Sequence, residues 1–187
     1  RGITFFVDVM TGIPSIVAGL FAYALMTLLL GPGTVSGFSG SLALSVLMIP
    51  VVVRSTEELL RIVPNELREA SYALGVPKWR TILRIVLPTA VSGIVAGVIL
   101  AIARIIGETA PLMVAAGFTQ SINMSFFSGP MMTLPTFVYD QYAYRGLPPE
   151  AFVDRAWTGA LILILIVMAL NLIGRLVAKR FAPKSGR

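Results

Sequence analysis

Residues 69–88, EASYALGVPKWRTILRIVLP, form a charged and polar island between strongly apolar stretches. Any fold of this chain must keep that island at a water-facing edge while its flanks are buried. Leu67, Ala70, Ser71 and Leu74 recur at helical spacing and predict one narrow, flat apolar stripe on a short helix. Gly75 stands where the stripe stops, as a terminator that takes a left-handed conformation without steric cost. Pro77 sits where the first turn of a new helix tolerates a residue without an N–H. The second helix carries Trp79, Ile82, Leu83 and Val86 on one side and Lys78, Arg80 and Arg84 on the other. Pro88 is expected to end or kink it. The pattern predicts a helix–turn–helix at a membrane surface, with a first helix small-faced enough to lie in a partner's groove.

Composition demands a membrane. Of 187 residues, 56% are hydrophobic and 13% charged, about half the charged share of a soluble domain. The net charge of +6 does not point to nucleic acid, because the basic residues flank apolar spans and are not interleaved with exposed aromatics. Cysteine and histidine are both absent, which removes disulfides, thiolate metal sites and the commonest general base. No catalytic residues and no metal ligands are expected in this chain.

Taken in order, Ile3–Leu30 is too long for one straight span and is interrupted at Gly12-Ile13-Pro14-Ser15. Ile13–Leu30 reads as the first full span, with Ile3–Gly12 entering the bilayer or lying on it. That break either aims helix N–H groups at an anion or is a simple kink. Asp8 reads as an interfacial residue. Residues 31–40, GPGTVSGFSG, predict a turn. Ser41–Val53 is apolar but short, so its span extends into Arg54 and Ser55 or begins within the turn. A polar loop is expected over Arg54–Arg84, then a span over Val86–Ile106 that breaks at Gly107. Leu112–Phe118 reads as a returning half-span, and Thr119–Arg155 as an interfacial connection rich in aromatics. Trp157–Ile173 is the last span, with Asn171 placed to bond across helices.

Charge gives the orientation. The central loop carries Arg54, Arg61, Arg68, Lys78, Arg80 and Arg84, and the tail carries Arg175, Lys179, Arg180, Lys184 and Arg187. The glycine-rich turn has no basic residue and the long connection only Arg145 and Arg155. The loop and the tail are therefore expected on the cytoplasmic side.

Inside the apolar region the chemistry concentrates at Arg104 and Glu108, four residues apart and on one face if the helix is intact. Either charge alone costs about 2.5–3.5 kcal/mol in a span, so both are expected to face the bundle interior or a water-filled path. Two readings stand. The pair either holds helices together as an ion pair, or Arg104 offers its planar fork of donors to an oxyanion in transit while Glu108 tempers that grip. Gly107 and Pro111 loosen the helix there, as broken helices do around transport sites.

Glu69-Ala70-Ser71, three residues, Gly75, nine residues and Ile85-Val86-Leu87-Pro88 together resemble the EAA loop of ABC-importer permeases. The departure is Ser71, where that family usually has alanine. A second set of motifs, RIIGETAPLM with the upstream DVMTGIPSIVAGLF and IVPNELREASYALG, is similar to the phosphate-specific permeases. The PstA type is matched better than the PstC type, and FSGPMMTLPTFVYDQYA with the last span fits the same subunit.

The resemblance implies an all-α fold: a polytopic transmembrane helical bundle of the ABC-importer permease type. It further implies one domain over residues 1–187 with about four spans and a coupling loop over residues 54–88. Subunits of that type carry two more spans, which are expected to precede Arg1. The coupling loop would comprise Glu69, Ala70, Ser71, Gly75, Ile85, Leu87 and Pro88, and the substrate path Arg104, Glu108 and Thr109. The function implied is import of inorganic phosphate across a bacterial or archaeal cytoplasmic membrane. No cofactor would be bound by this chain, with ATP and Mg on PstB-like ATP-binding partners. A PstC-like second permease, a PstS-like phosphate-binding protein and membrane lipid complete the implied partners. Import of another oxyanion (molybdate, sulfate or a phosphonate) and a non-conducting scaffold that docks an ATPase are the alternatives.

Overall fold

The computed structural model describes residues 2–181, and its regular structure there is helical. Helix α1 (Gly2–Thr11) and α2 (Ser15–Leu30) meet at an elbow of 107° across Gly12-Ile13-Pro14. Proline at position 14 cannot extend α1 and instead opens α2, with its carbonyl accepting the Val17 N–H at 2.9 Å. Helix α3 (Gly37–Ile62) begins at Ser36, whose side chain accepts the Ser39 N–H at 3.2 Å. The expected ten-residue turn thus shrinks to residues 31–36. The expected polar loop shrinks as well, because Arg54–Ile62 continues α3.

The hairpin follows as α4 (Asn65–Ala73) and α5 (Lys78–Thr81). Gly75 has φ +73°, its N–H donates to Tyr72 O and the Val76 N–H to Ser71 O, a complete left-handed termination of α4. Pro88 does not end the next helix. Residues 82–86 form a π turn, α6 (Leu87–Ile105) runs on from it, and Lys78–Ile105 is one helix of 28 residues. Pro88 has no N–H for the Arg84 carbonyl and its ring would press on that group. Widening the preceding turn, with the Leu87 N–H reaching back to Ile82 O, relieves both problems.

Beyond the break after α6 come α7 (Ala110–Ala115), α8 (Leu134–Ala143) and α9 (Pro149–Phe181). The expected half-span over Leu112–Phe118 is a helix of six residues. The last span lies inside α9, which starts eight residues earlier and carries Arg175, Lys179 and Arg180. Lys184 and Arg187 lie outside the described residues. Asn171 donates to Val167 O in its own helix at 3.0 Å and not across helices.

Three helices, α3, α5–α6 and α9, are long and apolar enough to cross a membrane, and the bent α1–α2 pair makes up to four. Their inward surfaces are small. Ala22, Ala43 and Ala115 bring α2, α3 and α7 together, and Val63, Val86 and Ala90 join the hairpin end of α3 to α6. Small side chains let helix backbones approach where lipid removes the hydrophobic drive for helix association. The large side chains point outward: Leu161, Ile164, Leu165, Met168 and Leu172 on α9 are exposed to what lipid would fill. At the end away from the hairpin, Phe38, Phe126 and Phe127 cluster, with Phe126 edge-to-face against both of the others, and the Phe38 N–H donates to Phe126 O at 2.9 Å.

Candidate functional site

Two places carry functional side chains: the hairpin and the helix break. On α4, Leu67, Glu69, Ala70 and Leu74 are exposed, and Leu74 is 82% so. Leu67, Ala70 and Leu74 lie at i, i+3 and i+7, one apolar stripe open to a partner. Ser71 turns the other way. It is buried at 3% exposure, and its Oγ lies 2.8 Å from Oγ1 of fully buried Thr81. The stripe read from the sequence therefore loses Ser71, which instead closes the hairpin. Arg68 anchors α4 to the end of α3 by donating to Leu60 O at 2.7 Å. Ile85 is half-buried, while Leu87 and Pro88 are exposed on the helix leaving the hairpin.

At the break, α6 stops at Ile105. The Gly107 N–H donates to Arg104 O at 3.3 Å and the Glu108 N–H to Ile105 O at 3.1 Å, so the last turn tightens before α7 begins. Glu108 is thus not on the same intact helix as Arg104. Both side chains nevertheless line one cavity of about 300 Å³, together with Thr11, Ser15, Leu47 and Val51. Thr109 stands at the N-terminal boundary of α7 without a side-chain capping bond, and does not line the cavity. The walls come from the α1–α2 elbow, the middle of α3 and the end of α6, and Ser15 is the first residue of α2. Arg104 and Glu108 are the two charged side chains in the lining, and no salt bridge joins them among the described residues. The ion-pair reading of these two is not what the geometry holds.

The ion pairs among the described residues gather one level along α3. Arg54 reaches Asp8 of α1 at 3.3 Å and Glu58 at 3.3 Å, with Glu57 at 4.0 Å, and Arg61 pairs with Glu57. Asp8, read as interfacial, is half exposed and adds an ion pair between α1 and α3. Thr11, Thr81 and the Asp8–Arg54 pair escaped the sequence reading, whereas Ser15 belongs to the Gly12–Ser15 break, one reading of which is an anion-facing helix start. The one local signal was serine at position 71 in place of alanine; the others depend on contacts between distant elements.

Among the described residues, an all-helical bundle with up to four spans, a projecting helical hairpin and a cavity at a broken helix defines a multi-pass membrane protein. The chain belongs to the family of binding-protein-dependent transport system inner membrane components, whose model matches residues 1–187. It is 54% identical over 174 residues, 93% of this chain and 56% of the relative, to the Mycobacterium leprae (strain TN) phosphate transport system permease protein PstA. It is 51% identical over 177 residues, 95% of this chain and 57% of the relative, to PstA 1 of Mycobacterium tuberculosis (strain CDC 1551 / Oshkosh). The Yersinia pestis protein of the same name is 42% identical over 181 residues, 95% of this chain and 57% of the relative. The chain thus spans somewhat over half the length of these relatives. Among solved structures, the fold matches inward-facing conformations of the MetNI methionine ABC transporter. The TM-score is 0.77 at 21% identity, over 98% of this chain and 76% of that one.

Proposed function

We propose that this chain forms part of a permease subunit that imports inorganic phosphate, driven by ATP hydrolysis on partner subunits. The observation that carries the reading is the cavity at the helix break, where Arg104 is the one cation in the lining. A guanidinium in a wall of mixed polar and apolar side chains binds an oxyanion through paired donors. The first turn of α2, opening at Ser15 beside it, adds partial positive charge. The names borne by the mycobacterial and Yersinia relatives support phosphate as that anion.

In this reading α4 docks in a groove of a PstB-like ATP-binding subunit through Leu67, Glu69, Ala70 and Leu74. Gly75 and the Ser71–Thr81 bond keep the hairpin stiff enough to pass movement into α3 and α5–α6, with Ile85, Leu87 and Pro88 on the transmitting helix. A PstC-like permease faces the cavity, and a PstS-like binding protein delivers phosphate at the end away from the hairpin. ATP and Mg stay on the partners. The hairpin and the end of α9 lie on the cytoplasmic side, where their basic residues favour them. Alternating access exposes Arg104 first to one side of the membrane and then to the other.

The test is uptake of radiolabelled phosphate by the full-length protein reconstituted with its partners, with and without ATP. ATP-dependent uptake that Arg104→Gln abolishes, with assembly preserved, supports both the substrate and the path. Stronger competition by molybdate, sulfate or a phosphonate than by unlabelled phosphate would move the assignment to that anion. ATP turnover without uptake of any of these anions would leave a docking scaffold.

A further inference from the structure

We propose that Glu108 makes the cavity selective for oxyanions that still carry a hydrogen; the inference rests on reading that cavity as an oxyanion path. The lining holds one guanidinium and one carboxylate, and the two are not tied to each other by a salt bridge. Each is free for a third group. Arg104 can only donate hydrogen bonds, and an ionised Glu108 can only accept them. The Thr11 and Ser15 hydroxyls donate or accept as required and discriminate nothing.

A tetrahedral oxyanion held here must turn acceptor oxygens toward Arg104 and a donor toward Glu108. Hydrogen phosphate and dihydrogen phosphate do both, because each keeps at least one P–OH at neutral pH. Arsenate does the same. Sulfate and molybdate at neutral pH carry acceptors alone and lay oxygen charge against the Glu108 carboxylate. The neighbouring side chains of Leu47, Val51 and Ala101 offer no donor to offset that mismatch. A carboxylate that merely positioned Arg104 would alter the grip on all these anions alike, so selectivity separates the two roles.

The experiment uses the full-length protein with its partner subunits in lipid nanodiscs, without a binding protein. Radiolabelled inorganic phosphate is measured by equilibrium dialysis at neutral pH and constant ionic strength, with arsenate or sulfate as competitor. Arsenate is expected to displace the label at a concentration similar to that of phosphate, and sulfate to need about tenfold more or beyond. Glu108→Gln should shrink the sulfate disadvantage to roughly threefold or less, since an amide donates as well as accepts. Glu108→Asp should keep it.

Sulfate matching arsenate in the unsubstituted protein would overturn the proposal, and that comparison stands even if Glu108→Gln fails to assemble. An unchanged sulfate disadvantage in an assembled Glu108→Gln complex would overturn it too. Phosphate binding that Arg104→Gln removes, but without preference over sulfate, would retain the oxyanion path and dismiss the role of Glu108. Absence of phosphate binding would dismiss both.

Discussion

Ser71 Oγ lies 2.8 Å from Thr81 Oγ1, and this single hydrogen bond joins the two helices of the hairpin across ten residues of sequence. Both residues are buried, and the other contact of Thr81 Oγ1, to Pro77 O, is long at 3.5 Å. Ser71→Ala should therefore strand a buried hydroxyl and loosen the hairpin by about 1–3 kcal/mol. Thr81→Val should do the same from the other side. The double substitution should cost less than the sum, because no orphan remains. The rate of protease nicking at the hairpin in the purified complex reads this out, and strict additivity would count against the bond.

Gly75 is the second determinant of that shape. Its φ of +73° is left-handed, while a side chain there would meet nothing within 4 Å. The penalty for replacing it is backbone strain alone, roughly 1–2 kcal/mol for an ordinary residue. Asparagine tolerates this region better than alanine, and valine worse. Uptake per ATP hydrolysed should accordingly fall in the order Gly, Asn, Ala, Val. Equal coupling for Gly75→Val would show that the turn is not required.

At Gly19 the constraint is contact. An added Cβ would lie 2.7 Å from Pro111 Cα and 2.8 Å from Pro111 O, both backbone atoms that cannot turn aside. Gly19→Ala should force α2 from α7 and destabilise the protein by roughly 1–3 kcal/mol. Gly93→Ala meets the tip of the Leu59 side chain at 2.8 Å, which can rotate. Thermal unfolding of the two variants should separate them, with Gly19→Ala melting lower.

Asp8→Asn removes the α1 end of the Asp8–Arg54 pair, whose side chains are about half exposed at 53% and 46%. Such pairs contribute about 0.2–1 kcal/mol, so the melting temperature should hardly move. The elbow after α1 places Thr11 and Ser15 in the cavity wall, however, and that wall loses a tether. The KM for phosphate uptake should rise with kcat preserved, and Asp8→Glu should restore it. An unchanged KM would reduce the pair to a surface contact.

Much of the hairpin was legible in the sequence. Gly75, Pro77 and the spacing of Leu67, Ala70 and Leu74 are signals within one or two helical turns, and they determine a short helix, a left-handed stop and a restart wherever the chain lies. The apolar stretches likewise determine a membrane bundle, because their side chains have no other adequate solvent. Helix lengths were less legible, since Pro88 announces a disturbance without saying whether the helix ends or widens by one π turn around the lost N–H. Only the tertiary structure decided that Ser71 faces Thr81, that Asp8 meets Arg54 across 46 residues, and that Thr11 and Ser15 share a cavity with Arg104 and Glu108. The reason is physical: a helix start or stop is settled by neighbours along the chain, whereas a contact between helices is settled by which faces meet. In this bundle those faces are chosen by small residues such as Gly19, Ala22, Ala43 and Ala115, whose role appears only once the helices have come together.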